Sequence, residues 1–401
     1  MATVKIKVDY YDSQQANLIR QNFPHDFDKI NSVAGNIIEV PIEDFKTYAF
    51  FRHQTDHNDF RTFTDIAKLS KNWGIYDSYF DFDSTTGKIT NKYPGIIDNN
   101  DVPEIIGIGG GLSVAGQIYD LTQADWTKIG IQTHKDFDFT KNAVTSNRNV
   151  VLETKGSVID NNQMRSEVSN HKSNILEKKG DTKFKQKYNY SQNTCLGIIT
   201  AADKKNILQS WLVDPPTENI SFDLRKIKLL KRLHYYYSII RFLSKRTYFA
   251  LVLANRIKTI ELIADYNSLD GIPLLNANFE KIVIRDSFIS SRATNKARSI
   301  VGRTLMFHTR ELYYIGIKRD LLDIMIKQDF NEILDYKIKP FSTTQLIQGD
   351  ILVRGDSYSK IFEKNNIKTL PSNYEDYFYF ETELDIIQNS AGLNIARKIL
   401  R

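Results

Sequence analysis

The sequence predicts an α/β protein: a mixed β-sheet core flanked by helices, an α+β module before it and a helix-rich region after it. Three observations carry this. Between Pro103 and Pro215 the elements run helix, strand, strand, strand, helix, strand, strand, the pattern of a mixed sheet with helices on its faces. Turn-rich stretches, Pro94-Gly95 with Asn99-Asn100-Asp101 and then Asp214-Pro215-Pro216, punctuate the chain on either side of that series. Charge also changes at those breaks: residues 1–100 carry a net −3, residues 101–216 a net +1 and residues 217–401 a net +8. Three domains with these bounds are expected.

The first segment opens with Val4, Ile6 and Val8 alternating with Lys5, Lys7 and Asp9, a half-covered strand. Residues 13–22 are expected to be helical and Asn36–Val40 to form a second strand. Residues 45–80 are rich in Phe, Tyr and Trp without a clean period. His53 and His57, with Asp59 near them, are expected to lie in a solvated polar loop. In the middle segment the Gly-rich Gly107–Gly111 reads as a flexible lead-in to a helix from Leu112 to about Leu121. A dinucleotide loop there lacks an acid at the required spacing, since Asp120 and Asp125 fall too early and Asp136 too late. Lys128–Thr133, Lys135–Phe139 and Asn149–Thr154 are expected as strands, with residues 140–148 as a polar loop. A helix over 163–179 and strands at Leu196–Thr200 and Trp211–Val213 complete the segment. The third segment opens on a long helical run, about 223–264. Strands at Lys281–Arg285, Leu312–Ile317 and Ile351–Arg354 follow, with a helix at Asp320–Ile326 and a terminal helix at Ala391–Leu400.

Composition excludes several classes. Hydrophobic residues make up 41% and charged residues 25%, which rules out a disordered or collagen-like chain. No apolar run approaches the ~18 residues of a membrane span, so no membrane partner is expected. The N-terminal residues lack an apolar h-region, so no signal peptide is expected. Cys195 is the one cysteine, which excludes an intramolecular disulfide and a zinc site built on several thiolates. A cytoplasmic protein is the expectation.

The chemistry concentrates in Lys135-Asp136-Phe137-Asp138-Phe139 and, with fourteen residues between Asp138 and Glu153, in Glu153-Thr154-Lys155-Gly156. Residues i and i+2 of a strand share a face, so Glu153 and Lys155 point one way and Thr154 the other. If the two strands form a hairpin, Asp138 and Glu153 converge beside Lys155. Two carboxylates and an ammonium suit metal-assisted phosphodiester hydrolysis, because Mg²⁺ takes oxygen ligands from one or two carboxylates plus phosphate and water. A cross-strand salt bridge on a surface hairpin is the plainer alternative.

Asp138, Glu153 and Lys155 resemble the PD-(D/E)XK nuclease superfamily over roughly residues 105–215. The family core of helix, three-stranded meander, helix and strand has the same element order, and its Glu-x-Lys is usually followed by a small residue, here Gly156-Ser157. The resemblance implies a restriction-endonuclease-like core and a Mg²⁺- or Mn²⁺-dependent endodeoxyribonuclease, a restriction or anti-phage defence effector. It implies that Asp138 and Glu153 bind the metal with help from the Thr154 carbonyl, and that Lys155 is the catalytic lysine. Three departures stand out. Phe137 replaces the family proline, leaving Asp136 as a rival ligand. No Glu lies between Glu104 and Glu153, so Gln117 or Asp120 would replace a first-helix carboxylate. The helix after the motif offers Gln163, Glu167, His171 and Lys172 as supporting residues.

From Leu224 to Ile260 the chain has ten basic residues and no acidic one, among them Arg225, Lys228, Lys231, Arg232, Arg241, Lys245 and Arg246. An all-positive helix face repels itself unless an anion lies against it, and nucleic-acid phosphate is the natural partner. Lys178 and Lys179 begin a second basic cluster. DNA is the expected partner, with RNA left open, and a homo-oligomer or a partner protein is expected because double-strand cutting uses two sites. A catalytically inactive nuclease-fold scaffold is the rival reading. Residues 372–388 are acidic and aromatic and are expected to form a packed edge.

Overall fold

The structure, a computed structural model, describes residues 2–22, 24, 26–52, 66–93, 99–128, 139–143, 148–159, 166–180, 193–213, 223–243, 248–275, 291–293, 300–307, 310–352, 362–365, 367–371 and 377–400. The chain divides into two compact units, Met1–Lys231 and Arg232–Arg401. The mixed α/β class expected from the sequence is observed.

In the first unit, β1 (Thr3–Tyr10), α1 (Ser13–Asn22), α2 (Phe27–Val33), β2 (Ile37–Pro41), α3 (Ile42–Phe50) and α4 (Ile66–Tyr79) come first. The hairpin β3 (Phe80–Asp83) and β4 (Lys88–Asn91) follows. Next are α5 (Asp101–Tyr119), β5 (Thr127–Lys128), β6 (Phe139–Ala143), β7 (Arg148–Val158), α6 (Ser166–Gly180), β8 (Asn193–Ala202) and β9 (Leu208–Val213). One seven-stranded sheet runs β2-β1-β9-β8-β7-β6-β5. Strands β7 and β8 are parallel, joined through α6, while β6 pairs antiparallel with β7 and β9 with β8. Val4, Ile6 and Val8 are fully buried, as the alternation of β1 predicted.

This sheet overturns the expected boundary at residue 100. Strand β1 pairs in parallel with β9, Val8 opposite Ser210, and so builds the first segment into the same sheet as the second. A pairing between positions about 200 apart leaves no local signal. Of the aromatic residues of 45–80, Phe50 of α3 stacks on Trp73 of α4 at 4.5 Å and meets Tyr76 edge-on at 5.6 Å.

Two more expectations fail in this unit. The glycine run is not a lead-in loop, because α5 begins at Asp101 and carries Gly107–Gly111 inside it. A side chain at Gly107 would meet the Gly156 nitrogen at 2.5 Å, and one at Gly110 would meet the Thr200 methyl at 2.5 Å. The missing side chains let α5 lie directly on β7 and β8, and that packing outweighs the weak helix propensity of glycine. Residues 140–143, expected as loop, continue the strand from Phe139, with Thr140 opposite Val151. Of the strand expected at Lys128–Thr133, Lys128 lies in β5 and residues 129–133 lie outside the described residues. The opposite face of the sheet is covered by α6, whose Val168 and Ile175 pack with Ile159, Ile199, Ala201, Trp211 and Val213.

The division between units falls within α7 (Leu224–Leu243), which α8 (Tyr248–Leu262) follows, so the expected single helical run is two helices. The second unit continues with β10 (Ser291–Ala293), β11 (Ile300–Phe307), β12 (Glu311–Lys318), α9 (Arg319–Lys327), α10 (Phe330–Asp335) and β13 (Phe341–Leu352). It ends with β14 (Lys368–Pro371), β15 (Tyr377–Gln388) and β16 (Leu393–Ile399). Strands β13-β10-β11-β12-β16-β15 are joined edge to edge, and β15 returns to β13, so the six close into an antiparallel barrel with β14 added on β15. Tyr314, Ile347, Phe380, Leu384, Ile386 and Ala396 are among the buried residues of its core.

The third segment is therefore strand-rich in its second half, not helix-rich throughout. Its last stretch is strand β16, not a helix, because it pairs with β12 over Leu393–Ile399. The residues expected as a strand at 351–354 include the end of the longer β13. The acidic stretch contains β15, bonded on both edges and so not a sheet edge. Lys281–Arg285 and the stretch from His53 to Asp59 lie outside the described residues.

Candidate active site

Strand β7 sits between β6 and β8 with a helix on each face, and its first half carries the apolar run Val150-Val151-Leu152. Its even positions face α5. Val150 and Leu152 are fully buried, and Thr154 lies against Gly111. Its odd positions face α6, where Glu153, Lys155 and Ser157 follow one another. Lys155 Nζ lies 2.6 Å from Glu153 Oε1, with Glu153 at 0% and Lys155 at 25% side-chain exposure. A fully buried carboxylate is costly unless paired and hydrogen-bonded, and Lys155 supplies the pairing. Across β8, Gly197 is the residue opposite Glu153. A side chain there would meet Ile175 Cγ2 at 2.8 Å, so this glycine admits α6 close to the carboxylate.

Gly156 is gripped by α5. A Cβ on it would collide with the Pro103 carbonyl oxygen and lie 2.6 Å from the Gly107 nitrogen. On the other face stands His171 of α6. Burial, above all, and the nearby charge of Lys155 hold its imidazole below the ordinary histidine range, against a hydrogen bond to the Gly156 backbone that works the other way. Of the expected supporting residues, His171 thus reaches the site. Its neighbour Lys172 is engaged elsewhere: Nζ donates to Asp12 Oδ2 at 2.7 Å and lies 4.6 Å from the Tyr11 ring centroid. Glu167 is exposed.

Gln117 and Asp120 are also exposed, near the end of α5, and α5 covers the face of β7 opposite Glu153. They do not join the site. Sequence reasoning missed Glu104, because it started the helix eleven residues late. Glu104 lies in the first turn of α5, ion-paired with the fully buried Arg52, which also holds Asp101 at 2.6 Å. Asp136, Asp138 and Gln163 lie outside the described residues, and the register Phe139↔Leu152 is the last described pair before Asp138.

The basic run sorts into distinct roles. Arg232 is 2% exposed and donates through Nη1 to the Ile333 and Tyr336 carbonyls, both at 2.9 Å, so it is a structural residue and does not hold phosphate. Lys228 is buried, and Lys231 Nζ donates to Thr127 Oγ1 at 2.7 Å. Arg256 donates to the Leu269 and Ile272 carbonyls. Arg225 is exposed and Arg241 half-buried. Lys245 and Arg246 lie outside the described residues, as do the side chains of Lys178 and Lys179.

Among the described residues no group of three or more His, Cys, Asp or Glu could hold a metal ion. The described part offers one carboxylate, Glu153, and the adjoining Thr154 carbonyl. Hard cations such as Mg²⁺ take oxygen donors of this kind, and Asp138, the second carboxylate expected from the sequence, lies outside the described residues. No helix among the described residues is long and apolar enough to cross a membrane. No family model, curated protein or solved structure matches this chain.

Proposed function

We propose that this chain is a metal-dependent endonuclease of the PD-(D/E)XK type, acting on DNA. The observation that carries the reading is the Glu153–Lys155 pair on a central strand, its carboxylate fully buried and its ammonium side chain partly exposed, both on one face of the sheet. A structural salt bridge gains little from such burial, whereas a site that works on charge needs carboxylate and ammonium fixed in a water-poor setting. The element order from α5 to β9, with β7 and β8 parallel around α6, supports the same reading.

In this reading Glu153, Asp138 and the Thr154 carbonyl hold Mg²⁺ or Mn²⁺, which when bound supplies an acidified water and neutralises phosphate charge. Glu153 is held by its strand and by Lys155. The Lys155 ammonium stands where negative charge grows on the phosphate and stabilises it without rearranging. Exposed cations such as Arg225 hold the phosphate backbone without reading bases. Two copies would cut both strands, and a role in restriction or phage defence follows from the family likeness.

The test is incubation of the purified chain with plasmid, linear duplex DNA and RNA, in Mg²⁺, Mn²⁺ or EDTA. Cutting of DNA that EDTA abolishes is expected. Binding to DNA without cutting in either metal favours the inactive scaffold, and cutting of RNA alone reassigns the substrate.

A further inference from the structure

We propose that the outward face of α8 is a docking surface for a second copy of this chain, the two α8 helices packing antiparallel about a two-fold axis at Asn255. The surface lies wholly within the second unit and does not depend on the nuclease reading.

Helix α8 has two distinct faces. Phe249, Leu253, Ile257 and Ile260 form the inner one and are buried. Directly opposite, Tyr248, Leu251, Asn255, Lys258 and Leu262 follow at steps of three, four, three and four, the spacing of a heptad seam. All five are exposed, Tyr248 at 54%, Leu251 at 63% and Leu262 at 86%. A surface helix ordinarily turns charge toward water on the face away from its core. Here Lys258 is the one charge on that face. The other ionisable groups of α8 stand to either side of it: Arg256 donates to the Leu269 and Ile272 carbonyls, and Glu261 meets His234 of α7 at 3.2 Å. A single exposed leucine means little. Three large apolar side chains spaced along one seam make a line that a second helix covers.

The seam is symmetric about its centre, which is why the occupant is this same chain. Tyr248 lies seven residues before Asn255 and Leu262 seven after it. A two-fold axis at Asn255 therefore sets Tyr248 of each copy against Leu262 of the other. Leu251 comes against the methylene stem of Lys258, whose ammonium reaches past it to water. Asn255 meets its own copy, and a primary amide both donates and accepts, so the two satisfy each other. A polar Asn within an apolar seam also fixes the register. A parallel pair would place Lys258 against Lys258, whereas the antiparallel pair keeps them six residues, about 9 Å, apart along the axis. The contact is small. One 15-residue helix from each copy falls short of the ~20–30 residues a side of a standard interface, so a dissociation constant on the order of ten micromolar is expected.

The experiment is sedimentation velocity on the full-length chain, from concentrations well below that constant to well above it. Wild type is compared with Tyr248→Lys, Leu262→Glu and the double variant carrying both. The two positions are exposed, so thermal unfolding should stay at the wild-type value. Wild type should pass from monomer to dimer, and each single variant should weaken the dimer at least about tenfold, because it sets a charge against an apolar side chain. The double variant should return to within about threefold of wild type at low salt and lose that recovery at high salt. Within one copy the two positions lie about 21 Å apart along the helix, so recovery reads contact between copies. A wild-type chain that stays monomeric overturns the proposal. So does a dimer that neither single variant weakens, and so does a double variant no better than the singles. Binding of a monomeric wild type to phosphatidylserine vesicles, lost in Leu262→Glu, would overturn it in favour of a lipid surface.

Discussion

Gly107 and Gly156 bring α5 and the strand bearing Lys155 together backbone to backbone, with no side chain on either partner. Helix propensity alone makes Gly→Ala in a helix favourable by about 1 kcal/mol. At Gly107 the new methyl would meet the Gly156 nitrogen, so Gly107→Ala should destabilise instead, by about 1–3 kcal/mol. Gly74 of α4 is the control: nothing lies within 4 Å of a Cβ there, so Gly74→Ala should stabilise. Urea denaturation of both variants reads the two signs, and stabilisation by Gly107→Ala would show that the two backbones do not meet. This is also where sequence reading failed at the scale of single residues. A run of glycines looks like a loop because propensity is local, whereas its cause is a strand about fifty positions away. Glu153 and Lys155 were legible, since the two-residue period of a strand places them on one face whatever the strand packs against.

At the scale of elements, the basic run of α7 and α8 shows what charge counting misses. Arg232 satisfies two backbone carbonyls from a buried position, so Arg232→Met should cost about 2–4 kcal/mol of stability. It should leave the salt dependence of DNA affinity unchanged. Arg225→Glu with Arg241→Glu should do the reverse, keeping stability and flattening the salt slope by about one unit for each phosphate no longer held. A titration of affinity against salt, run beside thermal unfolding, separates the two classes. An unchanged slope in the double variant would take α7 out of nucleic-acid binding. Elements with a strong period were legible: β1, α1, β12 and α9 stand close to where the sequence placed them. Ala391–Leu400 was not, because its apolar residues fit a helix face as well as a strand, and pairing with β12 decides between them.

At the scale of the whole molecule, the sheet of the first unit draws strands from positions 3 to 213. The expected boundary at 100 followed turns and charge, both of which report on surface, while the β1–β9 pairing is set by the sheet's interior. Removing residues 1–41 would strip β1 and β2 and leave the β9 edge unpaired, so that truncated chain should aggregate. A soluble chain with wild-type circular dichroism would show instead that the first segment is an independent module. The order of the middle elements was legible as a series, but the closed barrel of the second unit was not, because closure depends on β13 meeting β15 across an intervening strand and helical turn.

The most direct test of the central claim is the rate of Mg²⁺-dependent cleavage of a labelled DNA duplex by wild type, Glu153→Gln and Lys155→Ala. Both variants should first be shown to bind the duplex with wild-type affinity. Wild type is expected to cut, and each variant to be slower by at least about a hundredfold, the scale of removing a charge-stabilising group from a water-poor site. Cutting by Lys155→Ala at the wild-type rate would contradict the claim.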